Sequence, residues 1–167
     1  MKTKTITLSL LLMGLMLTAS CAHQVDKQQK LPSTSSTTVV KRTKVDYVEA
    51  NHYFVRNDMK SLPPTTITTQ QQFDSCFGMA AVMGKDGLPT PINFAHQFVI
   101  AVALPETDVQ TVLTPVSLEQ TNAHELTFTY RLKRGQKQTY TMQPLLLIIV
   151  DKKYEGNVVL KAKESDK

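Results

Sequence analysis

The chain has 167 residues, 19 of them Lys or Arg and 14 Asp or Glu, for a formal net charge of +5. That length suits one domain of about 100 to 150 residues. The mild positive balance is spread along the chain with no basic block, Lys41-Arg42 and Lys133-Arg134 being only pairs, which argues against nucleic acid as a partner. With no Trp and 7% aromatics there is no evident platform of stacked rings for carbohydrate, and two cysteines make no disulfide framework.

Met1-Lys2-Thr3-Lys4 carries two positive charges, and Ile6 to Ala19 is apolar apart from Thr and Ser. Small residues then lead to Cys21. These are the n-region, h-region and cleavage site of a secretory signal, in a run too short for the roughly 20 apolar residues of a membrane span. Leu17-Thr18-Ala19-Ser20-Cys21 resembles a bacterial lipobox, with cleavage between Ser20 and Cys21 and acyl chains on Cys21. Leu17 stands one place before the position where Leu is commonest, which Thr18 holds. The alternative is an ordinary secreted protein with a coincidental Cys. Each buried methylene adds about 0.8 kcal/mol, so two or three chains hold a protein on a membrane. Ala22 after the Cys favours the outer membrane, with the periplasmic or surface face left open. Loss of Lys2 and Lys4 takes the net charge from +5 to +3.

Residues 21–44 read as a tether. Gln28 to Thr38 is polar, rich in Ser and Thr, and too poor in apolar groups to offset its conformational entropy. Val39 and Val40 offer an edge strand as an alternative. A single domain is expected over residues 45–163, with a polar tail at 164–167.

Val45 to Val55 reads as a strand and Asn57-Asp58 as a turn. Thr68 or Thr69 is placed to cap a short helix whose apolar face is Phe73, Cys76, Phe77 and Ala80. Lys85 to Pro91 is a loop cluster. Gln97 to Leu104 is a dense apolar run expected to be a central strand buried on both faces, ended by Pro105. Thr111 to Leu118 is a further strand, which Pro115 pushes towards an edge or a bulge. Leu126, Phe128, Tyr130 and Leu132 alternate with Thr127, Thr129, Arg131 and Lys133, one face buried and one wet. Gly135-Gln136 reads as a tight turn into a return strand over Lys137 to Met142. After Pro144, Leu145 to Val150 is a core strand, and Glu155-Gly156-Asn157 a last hairpin turn. The fold class is α+β, mainly an antiparallel sheet with one short helix near its start.

The chemistry-bearing residues are sparse. His23, His52, His96 and His124 share no metal-ligand spacing, so no metal or other cofactor is expected. Cys76 could act as a nucleophile with His96 or His124 as base, but its place between Phe73 and Phe77 suits a buried structural thiol. Asp74-Ser75 has no Gly-x-Ser-x-Gly elbow around it, and the glycines form no phosphate loop. Glu106 and Asp108 are a pair of carboxylates after the central strand that reads better as a charged loop than as an acid-base site. The loop Pro105 to Gln110, with Glu106, Thr107 and Asp108, is the candidate partner-binding segment, together with the open sheet edges. Met79, Met83 and Met142 read as core filler.

Three stretches carry a resemblance. They are Thr68 to Phe73, Pro91 to Val102 with Asn93-Phe94-Ala95-His96-Gln97-Phe98-Val99-Ile100-Ala101-Val102, and Tyr140 to Pro144 leading into Leu147 to Lys152. Their order over Ile67 to Lys161 resembles the PrcB-type domain of bacterial lipoproteins, which includes a subunit of a surface protease complex. The family's Gly-Gly-Tyr type turn after the central strand has no counterpart in Pro105 to Thr111. The resemblance implies the α+β fold, a lipoprotein context and another envelope protein, such as a protease, as partner. The expected function is that of a lipid-anchored, non-enzymatic envelope protein, a protein-binding or complex-stabilising subunit. The alternatives are a thiol-dependent hydrolase using Cys76 and a protease-inhibitor-like β module.

Overall fold

The computed structural model of the chain describes residues 42–84 and 87–164. The expected signal peptide, the Ser20–Cys21 junction, the tether up to Lys41 with Val39 and Val40, and residues 165–167 lie outside the described residues. In chain order the elements are β1 (Thr43–Lys44), β2 (Tyr47–Glu49), β3 (Tyr53–Val55), β4 (Thr66–Ile67), α1 (Gln70–Cys76), β5 (Phe77–Met79), β6 (Gln97–Ala103), β7 (Thr107–Asn122), β8 (Glu125–Met142), β9 (Leu145–Asp151) and β10 (Asn157–Glu164). The fold is α+β and mainly antiparallel, with one short helix among the described residues.

Two four-stranded sheets form the body. The first runs β1-β7-β8-β10 and the second β2-β9-β6-β4, while β3 and β5 pair separately. Strands β6 and β9 explain the arrangement. Their runs Phe98 to Val102 and Leu146 to Val150 are apolar at every position, so either face must be covered. On one face Phe98, Ile100, Val102, Leu146, Ile148 and Val150 meet Leu118, Leu126, Phe128 and Leu132 of the first sheet. On the other, Val99, Ala101, Leu147 and Ile149, with Ile67 of β4 beside them, pack under Val55, Phe73, Cys76 and Phe77. The second sheet is thus the middle of three layers, between the first sheet and a cover made of α1 with the β3–β5 pair. Each fully buried Ile, Leu, Val or Phe contributes about 1.5–3 kcal/mol, which makes this middle layer the main source of stability.

Several expectations hold in detail. Thr69 caps α1, its hydroxyl accepting from the Gln72 amide at 3.2 Å. The β6 strand is central and ends before Pro105. Pro115 sits at a bulge of β7, where β8 lies on one side only, because β1 reaches no further than Glu119 and Gln120. The missing proline N–H therefore costs no ladder bond.

Others are corrected. The strand foreseen over Val45 to Val55 is two strands in different sheets, broken at His52, whose φ of 64° turns the chain. The last tether residues, Thr43 and Lys44, are β1, and Glu164, placed in the tail, belongs to β10. Helix α1 stops at Cys76, and Phe77 is already strand, because Gly78 must pair with Phe54. Gly135-Gln136 is no turn: β8 runs straight through it, and Lys137 and Met142 pair with Val109 and Thr107 across irregular register. The turn of this hairpin is at Ala123-His124. Gly156 closes no hairpin either. After Asp151 a single 3-10 turn, Lys152–Tyr154, carries the chain across to the first sheet, where β10 lies parallel to β8. Thr127 and Thr129, expected to be wet, are buried, because β8 is flanked on both sides by β7 and β10.

Candidate functional site

The covering layer carries exposed apolar side chains, among them Phe54, Met79 and Leu88. Its local order begins with the cap of α1, where Gln72 also accepts, through Oε1, from the Thr68 amide at 3.2 Å. The two bonds, one to the Thr69 cap and one from the amide just before it, hold the start of a helix of only seven residues. Phe73 then points down into an aromatic cluster, with ring centroids 5.0 Å from Tyr53, 4.9 Å from Phe77 and 5.6 Å from Phe94. The Tyr53 hydroxyl donates to the Thr90 carbonyl at 2.7 Å, and the Asn51 amide donates to the Thr90 hydroxyl at 3.0 Å. These bonds strap the 88–92 segment against β3. Burial, and after it the Asp74 charge, hold the Tyr53 phenol above its ordinary range.

Between strap and helix lies a cleft of about 410 Å³ lined by Tyr53, Phe73, Met79, Leu88, Pro91 and Ile92. Its rim is unusual for a surface. Of its lining residues Met79 is 68% and Leu88 75% exposed, and in the segment after β5 Val82 and Met83 are exposed as well. Met79 and Met83 were expected in the core and are corrected to surface residues. Met79 ends β5 and Met83 lies in the turn-rich segment beyond it, outside any layer. The glycines around that segment, Gly84 with a φ of 131° and Gly87 donating to the Gly84 carbonyl at 3.3 Å, were the available sign that it loops outward. The cleft's chemistry is that of an apolar socket. It could grip an aliphatic or aromatic side chain, and it presents no charged pair for acid-base work.

The loop expected at Pro105 to Gln110 is shorter than foreseen. Thr107 and Asp108 belong to β7, leaving Leu104 to Glu106 as the connection. Glu106 and Thr107 line a smaller depression of about 260 Å³ with Thr111, Arg134 and Pro144. Asp108 is tied to Lys137 at 3.0 Å. The structure therefore does not hold Glu106 and Asp108 as a free carboxylate pair.

Cys76 is 4% exposed and packs in the cluster between the cover and the second sheet, with the Ser75 hydroxyl 3.7 Å from its sulfur. His124, at the hairpin turn of the first sheet, is on the other side of the second sheet from it, and His96 is exposed. Among the described residues no group of three or more His, Cys, Asp or Glu could hold a metal ion, and no helix is long and apolar enough to cross a membrane. Compared with family models, with curated proteins and with solved structures, the chain matches none.

Proposed function

We propose that the protein is a lipid-anchored, non-enzymatic subunit of the bacterial envelope that binds another envelope protein through the α1 cover. The observation that carries this reading is the exposure of Met79 and Leu88 in the lining of an apolar cleft. Exposed apolar groups gathered at one place mark contact surfaces more often than chance, and methionine adapts readily to the shape of a partner. The lipobox resemblance at Cys21 supplies the anchor, and the PrcB-type resemblance makes an envelope protease the first partner to seek.

The test is crosslinking of the full-length protein in its own membranes, followed by recovery under denaturing conditions. Wild type should bring down one specific envelope protein. Cys21→Ser should release the protein from the membrane, and Met79→Ser with Leu88→Ser should lose the partner while leaving the anchor intact. Recovery of the same partner by the Met79→Ser/Leu88→Ser variant refutes the cleft as the contact, and recovery of none by wild type refutes the subunit reading.

A further inference from the structure

On the side of the fold opposite that cover, the outer face of the first sheet has a charge pattern that folding alone does not explain. Register fixes which side chains share it. In the parallel pair β8–β10, Arg131 stands beside Lys163 and Thr129 beside Lys161, and Lys133 follows two places after Arg131. Leu126, Phe128, Tyr130 and Leu132 point inward, so Arg131, Lys133, Lys161 and Lys163 all point out. Neighbouring strands lie about 4.8 Å apart and alternate residues about 6.7 Å, so the four cations occupy a patch about 13 Å long and one strand spacing wide. None of them forms an ion pair with another described residue. Like charges directly opposite one another in a sheet oppose folding. The acidic residues of this face, Glu119 and Glu125, lie at its other end, beside Thr127 and Asn157, and Glu119 is held by Arg42 at 3.8 Å. On β7 the basic patch is bordered by Val112 and Thr114, which pair with Lys133 and Arg131, and Val112 is exposed.

We infer that Arg131, Lys133, Lys161 and Lys163, with Val112 beside them, form a surface that lies against the phosphate headgroups of an anionic membrane. Charge complementarity selects the occupant, and chain path supports it. The chain enters the domain through β1, a strand of this same sheet. Twenty residues (22–41) separate Cys21 from Arg42, so the domain stays within roughly 70 Å of an anchor at Cys21 even if they are fully extended. The inference rests on the lipoprotein reading for that proximity. It adds an orientation, with the basic sheet towards the lipid and the apolar cleft away from it. Each cation near an anionic surface favours the docked state by about fivefold, so four such contacts bias an already tethered domain strongly.

The experiment reconstitutes the full chain in vesicles of phosphatidylcholine or phosphatidylglycerol that contain a headgroup spin label. A fluorophore is attached at Val112→Cys or, on the opposite layer, at Leu88→Cys. Quenching at position 112 is expected in phosphatidylglycerol, with little in phosphatidylcholine, and it should vanish at about 1 M salt, where the Debye length is roughly 3 Å. Arg131→Gln with Lys163→Gln should lower the ratio of docked to undocked protein by about 25-fold, and position 88 should remain unquenched. Equal quenching at 112 in both lipids, or at 88 as much as at 112, overturns the inference. So does heparin binding to the same face without any quenching by phosphatidylglycerol, which would point to a soluble polyanion instead. Flotation with phosphatidylcholine vesicles reads attachment separately: a chain that fails to float has lost the anchor reading, whereas one that floats unquenched has lost only the docking face.

Discussion

Gly156 and Gly135 offer the same one-carbon change against two different neighbours. A Cβ on Gly156 would stand 2.6 Å from the His124 carbonyl oxygen and 2.9 Å from its carbon, both backbone atoms at the turn between β7 and β8. A Cβ on Gly135 would meet the Gln110 side chain, 3.2 Å from its Cβ and 2.6 Å from its amide oxygen, the end of an exposed and flexible group. The first clash can be relieved only by moving the crossover away from the hairpin turn. That strains the bond from the Asn157 amide to the His124 carbonyl, 2.8 Å long, which starts the β8–β10 ladder. Overpacking of this kind costs about 1–3 kcal/mol, and a weakened hydrogen bond adds on the order of 1 kcal/mol. Gly156→Ala should therefore destabilise by about 2–4 kcal/mol. Gly135→Ala only displaces Gln110, while the stiffer unfolded chain returns about 0.4–1 kcal/mol, so its net effect should lie within about 0.5 kcal/mol of zero. Urea unfolding followed by tyrosine fluorescence measures both, since the chain has five Tyr and no Trp; the midpoints are compared at a common slope. Equal midpoints for the two variants would refute the close approach on which the crossover depends.

Other outcomes follow from single contacts. Thr69→Ala removes the acceptor for the Gln72 amide and should cost about 1 kcal/mol, whereas Thr69→Ser should cost far less; calorimetry distinguishes them. Cys76 should resist a polar maleimide in the native protein and react fully in denaturant, and native-state labelling at the denatured rate would contradict its burial. Tyr53 should ionise above the ordinary tyrosine range when absorbance at alkaline pH is followed, and Tyr53→Phe should remove that late step. Because its folded-state pKa is raised, its contribution to stability is complete below the ordinary tyrosine value and is lost as pH rises through the folded value.

Periodicity revealed most of the sheet and little of its topology. The runs at Phe98 to Val102 and Leu146 to Val150 announce two-sided burial because every position is apolar, and the structure uses both faces. The alternation from Leu126 to Leu132 places an inward face correctly. What it cannot supply is the partner strand. Gly135 and Gly156 read as turns because glycine punctuates turns, yet both serve close approaches inside or beside long strands. Strands of two or three residues, such as β4 and β5, are too short for any period to emerge. The cleft was illegible for a related reason: Met79 and Met83 are apolar and sit near a helical pattern, and only the end of α1 at Cys76 puts them outside the core. The candidate loop at Glu106 to Asp108 was visible as a strand end, but the long reach of β7 absorbs most of it. The basic face was hidden because its four cations lie on two strands whose parallel pairing no sequence spacing indicates.

The pairing of β2 with β9 joins Tyr47 to Val150. The two partners are made about a hundred residues apart, which at 5–20 residues per second is roughly 5–20 s of synthesis. For that interval β2 has nothing to pair with and β6 has no neighbour but the two residues of β4. The sandwich cannot therefore close from its N-terminal end while the chain is being made; it closes when Leu145 to Asp151 arrives and slots between strands already waiting on either side. A chain stopped short of Leu145 would leave β2 and β6 as open edges at once, an aggregation hazard. Proteins truncated there should accumulate as insoluble material, not as a smaller folded domain.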